Sequence, residues 1–450
     1  MKVQPFRLSL LASVLIVLVF SSACSSVQSL PPGTQRISVA SDGAQADQRS
    51  KQPSISADGR YVAFSSNAAN LVKDDTNGVT DVFVRDLVKN TTTRISISSK
   101  GTQGNKSSYW PYMSADGRYV TFTSEADNLV ENDKNGVGDV FIHDVKRGGT
   151  ELVSIGLNGG SGNDLSFWSS VSSDGNYVVY MSNATNLVPS DTNDSWDIFL
   201  RDRHSGVTSL ASFGYDGSQA NSQSEYPVIS SDGQNIAYAS DATNIVEGDT
   251  NGYRDVFEYD RKTGKTIRVS LATDGTQTND GTQAFVISIS ADGRYVAFPS
   301  LATNLVPDDS NHAWDVFVHD RDKGETSRVS VASDGTQADA GSYGVSISAD
   351  GRFVAYGSNA TNLVPDDTNG VMDAFLYDRQ TSKTERISVA TDGTQGNDTS
   401  GLMLIAPDGI DFAYGTLISS DGSRVVYMSN ATNLVAGDSN ASQDILLFVK

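Results

Sequence analysis

The sequence predicts an all-β fold, a seven-bladed β-propeller of four-stranded antiparallel blades closed by the N-terminal strand completing the last blade. Three observations predict it. An Asp-Gly pair recurs at Asp58, Asp116, Asp174, Asp232, Asp292, Asp350 and Asp421, spaced 58, 58, 58, 60, 58 and 71 residues apart, and such a period marks a repeat architecture. Every period carries the same four short apolar runs. The two ends of the chain each hold part of a repeat that the other lacks.

In the first copy the runs are residues 53–57, 61–66 (YVAFSS), 81–86 (DVFVRD) and 92–98 (TTRISIS). They are short, rich in β-branched and aromatic residues, and bounded by Gly, Asn and Asp, which is the pattern of strands rather than helices. The Ala-Asp-Gly-Arg turn between the first two puts Gly59 where a tight hairpin needs a positive φ. A four-stranded meander repeated about an axis is a propeller blade. Residues 35–41 (QRISVAS) form a fourth run with no blade of its own, matching 385–390 and 327–332, while 444–450 (DILLFVK) is a third run with no fourth. Pairing the two closes the ring and leaves no open edge. An open stack would need polar capping units, which the sequence does not show.

Among 450 residues, 19% are charged and 38% hydrophobic, with 40 glycines and a formal net charge of −21. That composition suits a turn-rich soluble chain and argues against a nucleic-acid partner, which needs clustered Lys and Arg. Cations or neutral ligands fit better. The single cysteine, Cys24, excludes disulfides and a cysteine metal cluster. Lys2 and Arg7, an apolar run over 8–20, and Ser21, Ser22 and Ala23 read as an export signal, too short for a stable spanning helix.

Residues 21–24 resemble the lipobox of bacterial lipoproteins, with Ser21 in place of the usual leucine. The resemblance implies lipid attachment at Cys24, with several acyl chains holding the protein to a membrane of the cell envelope. The alternative is ordinary cleavage after Ala23, giving a soluble secreted protein. The expected organisation is a signal peptide over 1–23, a lipidated cysteine and tether over 24–32, and a propeller over 33–450.

The pattern S-x-D-G-R-Y-V-A-F followed by D-V-F-V-x-D resembles the TolB-type, WD-repeat-like propeller repeat. The resemblance implies the fold and leaves function open. TolB carries an α/β domain ahead of its propeller and related peptidases add an α/β-hydrolase domain; the sequence predicts neither here.

Between the second and third runs all seven copies hold D-x-N-x-x-x-D: Asp75, Asn77, Asp81; Asp133, Asn135, Asp139; Asp191, Asn193, Asp197; Asp249, Asn251, Asp255; Asp309, Asn311, Asp315; Asp367, Asn369, Asp373; Asp438, Asn440, Asp444. Two carboxylates and an amide oxygen are hard donors of the kind Ca²⁺ takes, with backbone carbonyls and water completing the shell. The same residues also make Asx turns, with the last Asp capping the third strand. Both readings stay open. The loop is no EF-hand, because the glycine after Asn occurs only as Gly78, Gly136, Gly252 and Gly370 and the terminal Glu is missing.

The loop between blades carries D-G-x-Q-x-[ND], as in Gln277 with Asn279 and Gln395 with Asn397, and is expected to hydrogen-bond one blade to the next. Trp110, Trp168, Tyr226, Phe285 and Tyr343 precede the innermost strands, six or seven residues ahead of the Asp-Gly pair. They are expected near the mouth of the channel, as a platform for a glycan or a peptide anchor, or as packing between blades. The longer last period comes from residues 398–417, where Leu402, Met403, Leu404, Ile405 and Phe412 predict a channel plug or a partner contact.

Of the four histidines, His143 and His319 occupy a third-strand position, expected to face outward, where other copies have Arg85, Arg201, Tyr259 and Tyr377; His204 and His312 lie elsewhere. No G-x-S-x-G, H-E-x-x-H or phosphate-loop pattern occurs. The expectation is a non-enzymatic binding or scaffold propeller of the envelope for a protein or glycan, with no nucleic acid and membrane contact through the lipid alone. The alternatives are a propeller-based polysaccharide lyase or glycoside hydrolase, which needs an irregular carboxylate or histidine in the channel, and a secreted calcium-dependent lectin-like protein.

Overall fold

The structure is a computed structural model that describes residues 1, 30–189, 191–282, 286–401, 403–406, 409–412 and 417–450. The expected signal peptide 1–23, Cys24 and Phe285 lie outside the described residues. Residues Pro31–Lys450 form one compact unit.

That unit is a ring of seven four-stranded antiparallel sheets. Blade 1 runs through Ser50–Ile55, Tyr61–Ser66, Asp81–Asp86 and Thr91–Arg94, and five further blades repeat this order. Blade 7 takes Ser400–Gly401, Arg424–Ser429 and Asp444–Val449 from the C-terminal end and Gly33–Arg36 from the N-terminal end. Gly33 pairs with Val449 and Arg36 with Leu446, and the Ile37 N–H continues the ladder to the Ile445 carbonyl at 2.8 Å. The closure expected from the two half-repeats is the one observed.

Each third strand is an inner element covered on both faces by neighbouring blades, so Asp81–Asp86 is buried throughout. Its Phe83 lies opposite Phe64, with ring centroids 5.8 Å apart, and Phe122 with Phe141 and Tyr180 with Phe199 repeat the pair at 5.8 and 5.9 Å. Such cross-strand aromatic pairs are a unit of sheet stabilisation. Blades lock together at the Asp-Gly turn. Gly175 has φ +73° and lies under the Tyr119 ring of the preceding blade, where a Cβ would come within 2.3 Å; Gly351 (φ +72°) lies likewise under Tyr295. Glycine is thus required twice over, by backbone conformation and by the covering ring.

The innermost strands converge at this turn end. Amide-to-carbonyl bonds tie the blades here, from Ala57 to Ala115 (2.9 Å), Ser173 to Ser231 (2.9 Å), Ala291 to Ala349 (3.0 Å) and Ser420 to Ala57 (2.9 Å). The channel narrows to a cavity of 50 Å³ walled by residues such as Met113, Val171, Ile229 and Ile347.

Two strand boundaries differ from expectation. The fourth strand of blade 1 ends at Arg94 rather than at residue 98: one more backbone bond follows, from the Ile95 N–H to the Val82 carbonyl (2.8 Å), and the Ser96 hydroxyl then takes the place of the ladder by accepting from the Val82 N–H (3.1 Å) and donating to Asp81. The first strand starts at Ser50 rather than 53 and contains a bulge between Lys51 and Ser54. Within 398–417, Met403–Ala406 pairs with Gly409–Phe412 as a separate two-stranded hairpin. The Leu402 of that insertion lies outside the described residues. No helix among the described residues is long and apolar enough to cross a membrane.

Candidate functional site

The acidic loops lie where the second strand hands over to the third. In blade 6, Asn369 Oδ1 accepts the Val371 N–H at 3.1 Å, an Asx turn, and its Nδ2 donates to Asp373 (2.9 Å) and to the Gly396 carbonyl (3.1 Å). The same acceptance holds Asn77, Asn135, Asn193, Asn251, Asn311 and Asn440. The three residues of each motif are therefore brought together, but the amide oxygen expected to face a metal is used by its own loop. Between the two carboxylates stands an arginine from the end of the fourth strand. Arg386 lies 3.3 Å from Asp367 and 3.6 Å from Asp373, and Arg36, Arg94, Arg268 and Arg328 repeat the pairing in blades 7, 1, 4 and 5. Among the described residues no group of three or more His, Cys, Asp or Glu is placed to hold a metal ion.

The inter-blade loop closes the same corner. Gln395 Nε2 donates to Asp367 Oδ1 at 2.8 Å, and the Asn397 N–H donates to Asn433 Oδ1 of the next blade at 2.9 Å. This is the expected blade-to-blade bonding.

His143 and His319 do not face outward. They are 3% and 5% exposed, each with Nδ1 on a fourth-strand threonine, Thr150 (2.8 Å) and Thr326 (2.9 Å). The fourth strand covers the position, and burial lowers the His143 pKa to about 4. Glu258 breaks the repeat where other third strands carry Val84, Ile142, Leu200, Val318, Leu376 and Leu447. It is 1% exposed and paired with Arg321 at 2.8 Å, and burial pushes it up to about 7. It joins two blades and lies outside the channel strands.

The aromatic residues form the most developed surface feature. Trp110, Trp168 and Tyr226 lie inside the innermost strands Ser108–Met113, Ser166–Val171 and Ser224–Ile229, not before them. Each is the bulge residue, with φ of 53°, 47° and 57°. The register jumps there between Tyr109 and Tyr112, Phe167 and Ser170, and Glu225 and Val228. A bulge re-aims its side chain, and holding a bulky residue at positive φ costs roughly 1–3 kcal/mol. Pro53, Pro111 and Pro227 follow the bulge residue in three copies, placing a residue without an N–H where the ladder lacks a partner.

The result is a continuous arc of rings across three blades. Trp110 lies 5.1 Å from Trp168 and 5.4 Å from Phe167, Trp168 lies 4.3 Å from Tyr226, and Phe167 lies 4.8 Å from Trp196. These rings, with Tyr109, Met181, Lys51, Gln52 and Glu225, line an open groove of 560 Å³ spanning blades 1 to 4. Gln52 Oε1 anchors the wall by accepting from the Trp110 N–H (3.1 Å) and the Ser65 hydroxyl (2.8 Å). The Tyr109 hydroxyl donates to Glu125 at 2.8 Å, and burial followed by that carboxylate pushes its pKa up. Glu225 pairs with Arg254 at 2.7 Å.

Tyr343 is not part of this arc. It stands one residue earlier in register than Trp110, because the bulge residue of its blade is Gly344 (φ 58°). It packs over Gly341 instead. Phe285 shares that earlier register in the sequence. Tyr109, Phe167 and Trp196 are groove residues that the repeat reading missed.

No family model and no curated protein matches the sequence. Among solved structures, an oligogalacturonate lyase from Vibrio parahaemolyticus is similar at 11% identity, covering 93% of this chain and 97% of that one, with a TM-score of 0.54. An oligogalacturonate lyase in complex with manganese matches at 11% identity, 93% and 96% coverage and a TM-score of 0.53. The likeness is one of fold. TolB from Acinetobacter baumannii is 14% identical over 74% of this chain, with a TM-score of 0.41; the match spans 64% of that TolB. The repeat read in the sequence is the blade repeat of the structure.

Proposed function

We propose that the protein is a non-enzymatic binding module of the bacterial envelope, held there by lipid on Cys24, that takes a glycan chain along the aromatic groove. The observation that carries this reading is the arc of half-exposed rings, Tyr109, Trp110, Phe167, Trp168 and Trp196, along an open groove with polar ends at Lys51, Gln52 and Glu225. Apolar ring faces with a few fixed polar groups suit ligands that have one apolar and one hydroxylated side. The groove lining offers contact surface, with its carboxylate Glu225 already engaged by Arg254.

Three of the four tryptophans, Trp110, Trp168 and Trp196, line the groove, so intrinsic fluorescence reports its occupancy. Titration with neutral and acidic oligosaccharides should give a saturable change that Trp168→Ala abolishes. A flat response to every glycan sinks the glycan reading. A protein segment is the second reading, favoured by the apolar depth that Phe167 and Met181 add; a saturable response to peptides alone would select it. Consumption of oligogalacturonate by the protein would replace both with a lyase.

A further inference from the structure

The acidic loop of blade 2 departs from its sisters at two positions at once. Where five blades place Arg36, Arg94, Arg268, Arg328 or Arg386 between the carboxylates, blade 2 has Leu152 and blade 3 has Leu210. Where six blades place a glutamine from the inter-blade loop, blade 2 alone has a serine, Ser161. Blade 3 shows what one loss does. Gln219 Nε2 bridges the pair, donating to Asp191 Oδ1 at 2.7 Å and to Asp197 Oδ2 at 3.0 Å. Blade 2 has neither device.

The consequence falls on one atom. Asp133 is 4% exposed and its Oδ1 is buried without a hydrogen-bond partner, the side-chain groups nearest its carboxylate being Ser161 and Asp139. The same oxygen meets arginine in blades 1, 4, 5 and 6, on Asp75, Asp249, Asp309 and Asp367, and glutamine in blade 3. By the repeat, Asp133 Oδ1 faces the space that those side chains fill. Its partner Asp139 is 0% exposed, takes neutral donors at Ser154 Oγ (2.6 Å) and Asn135 Nδ2 (2.6 Å), and faces Asp133 with no cation between them. Two buried carboxylates side by side with no cation are costly, and such charges are normally paired or bound to metal.

We propose that blade 2 binds one Ca²⁺ between Asp133 and Asp139, in the space that an arginine guanidinium occupies in the sister blades. The two carboxylates balance the charge of a divalent ion, and oxygen is the only donor type they offer, which suits a hard cation. The Ser161 hydroxyl, held on the loop by the Lys134 N–H at 3.3 Å, adds a neutral oxygen, and water completes the shell. The sites with a built-in arginine are excluded by that arginine, so the stoichiometry is one ion per chain rather than seven. None of these residues lines the aromatic groove, so the inference stands or falls apart from the glycan reading.

The test is calcium titration of the metal-stripped protein by calorimetry, with melting temperature followed in parallel, on the wild type, Asp133→Asn and Leu152→Arg. The expected result is one saturable Ca²⁺ per wild-type chain with a calcium-dependent rise in melting temperature. Both variants should lose the binding, and Leu152→Arg should melt at or above the calcium-free wild type, which shows that it folds. Absence of saturable binding, or binding that survives Leu152→Arg, overturns the proposal. Stabilisation of the wild type by acid but not by calcium also overturns it, and assigns the pair a shared proton instead.

Discussion

Blades 4 and 2 carry the same acidic loop and solve its charge differently. In blade 4, Arg268 lies 2.8 Å from Asp249 and 3.4 Å from Asp255, so the loop brings its own counterion and is complete when the chain folds. In blade 2 the aliphatic Leu152 joins a hydrophobic cluster with Leu129 and Phe141, and the buried carboxylates have no arginine between them. A repeat can thus copy a loop geometry faithfully while a change one strand away decides whether that loop is closed or receptive.

The largest effect should come from removing the arginine of blade 4. Arg268→Leu leaves Asp249 and Asp255 buried and uncompensated, and losing one partner of a buried pair costs about 3–5 kcal/mol; urea unfolding should show the loss. If the midpoint does not move, the arginine is not what closes these loops. Next, Gln219→Ser removes the amide that bridges Asp191 and Asp197 and makes blade 3 resemble blade 2. Hydrogen bonds to charged groups contribute roughly 1.5–3 kcal/mol, so calcium-free stability should fall by about that amount, and calorimetry should find a second Ca²⁺.

The smallest effect is a slope with pH. Burial raises Asp139 to about 7, with Asp133 adding repulsion, and burial likewise raises Asp133, with Asp127 adding repulsion. Between about pH 4 and 7 the native protein then holds a proton that the unfolded chain releases, so stability is highest in acid and falls as pH rises through this window. The contribution is at most about 1.4 kcal/mol per pH unit. Leu152→Arg should flatten that part of the calcium-free profile; equal slopes in both proteins would show that the pair does not carry it.

The ring, the seven blades and the closure were legible because the period, the alternation of the strands and the unmatched half-repeats all point to one topology. The groove was only partly legible. Trp110, Trp168 and Tyr226 share one register and Phe285 and Tyr343 another, and the difference between six and seven residues from the Asp-Gly pair was the signal of it. A bulge shifts every side chain by one position, and its positive φ has no composition of its own. Trp196 reaches the groove from the second-to-third loop of blade 3, a long-range contact that no local pattern encodes. The arginines were visible as Arg94, Arg268, Arg328 and Arg386 at one repeat position. Their meaning appeared only when the fourth strand was laid against the acidic loop.

The hydrogen-bonded, apolar end of the channel has a consequence for any long ligand. The 50 Å³ at the convergence of the strands has room for a few water molecules. A long ligand in the aromatic groove is therefore met along its side, by rings that three neighbouring blades present together.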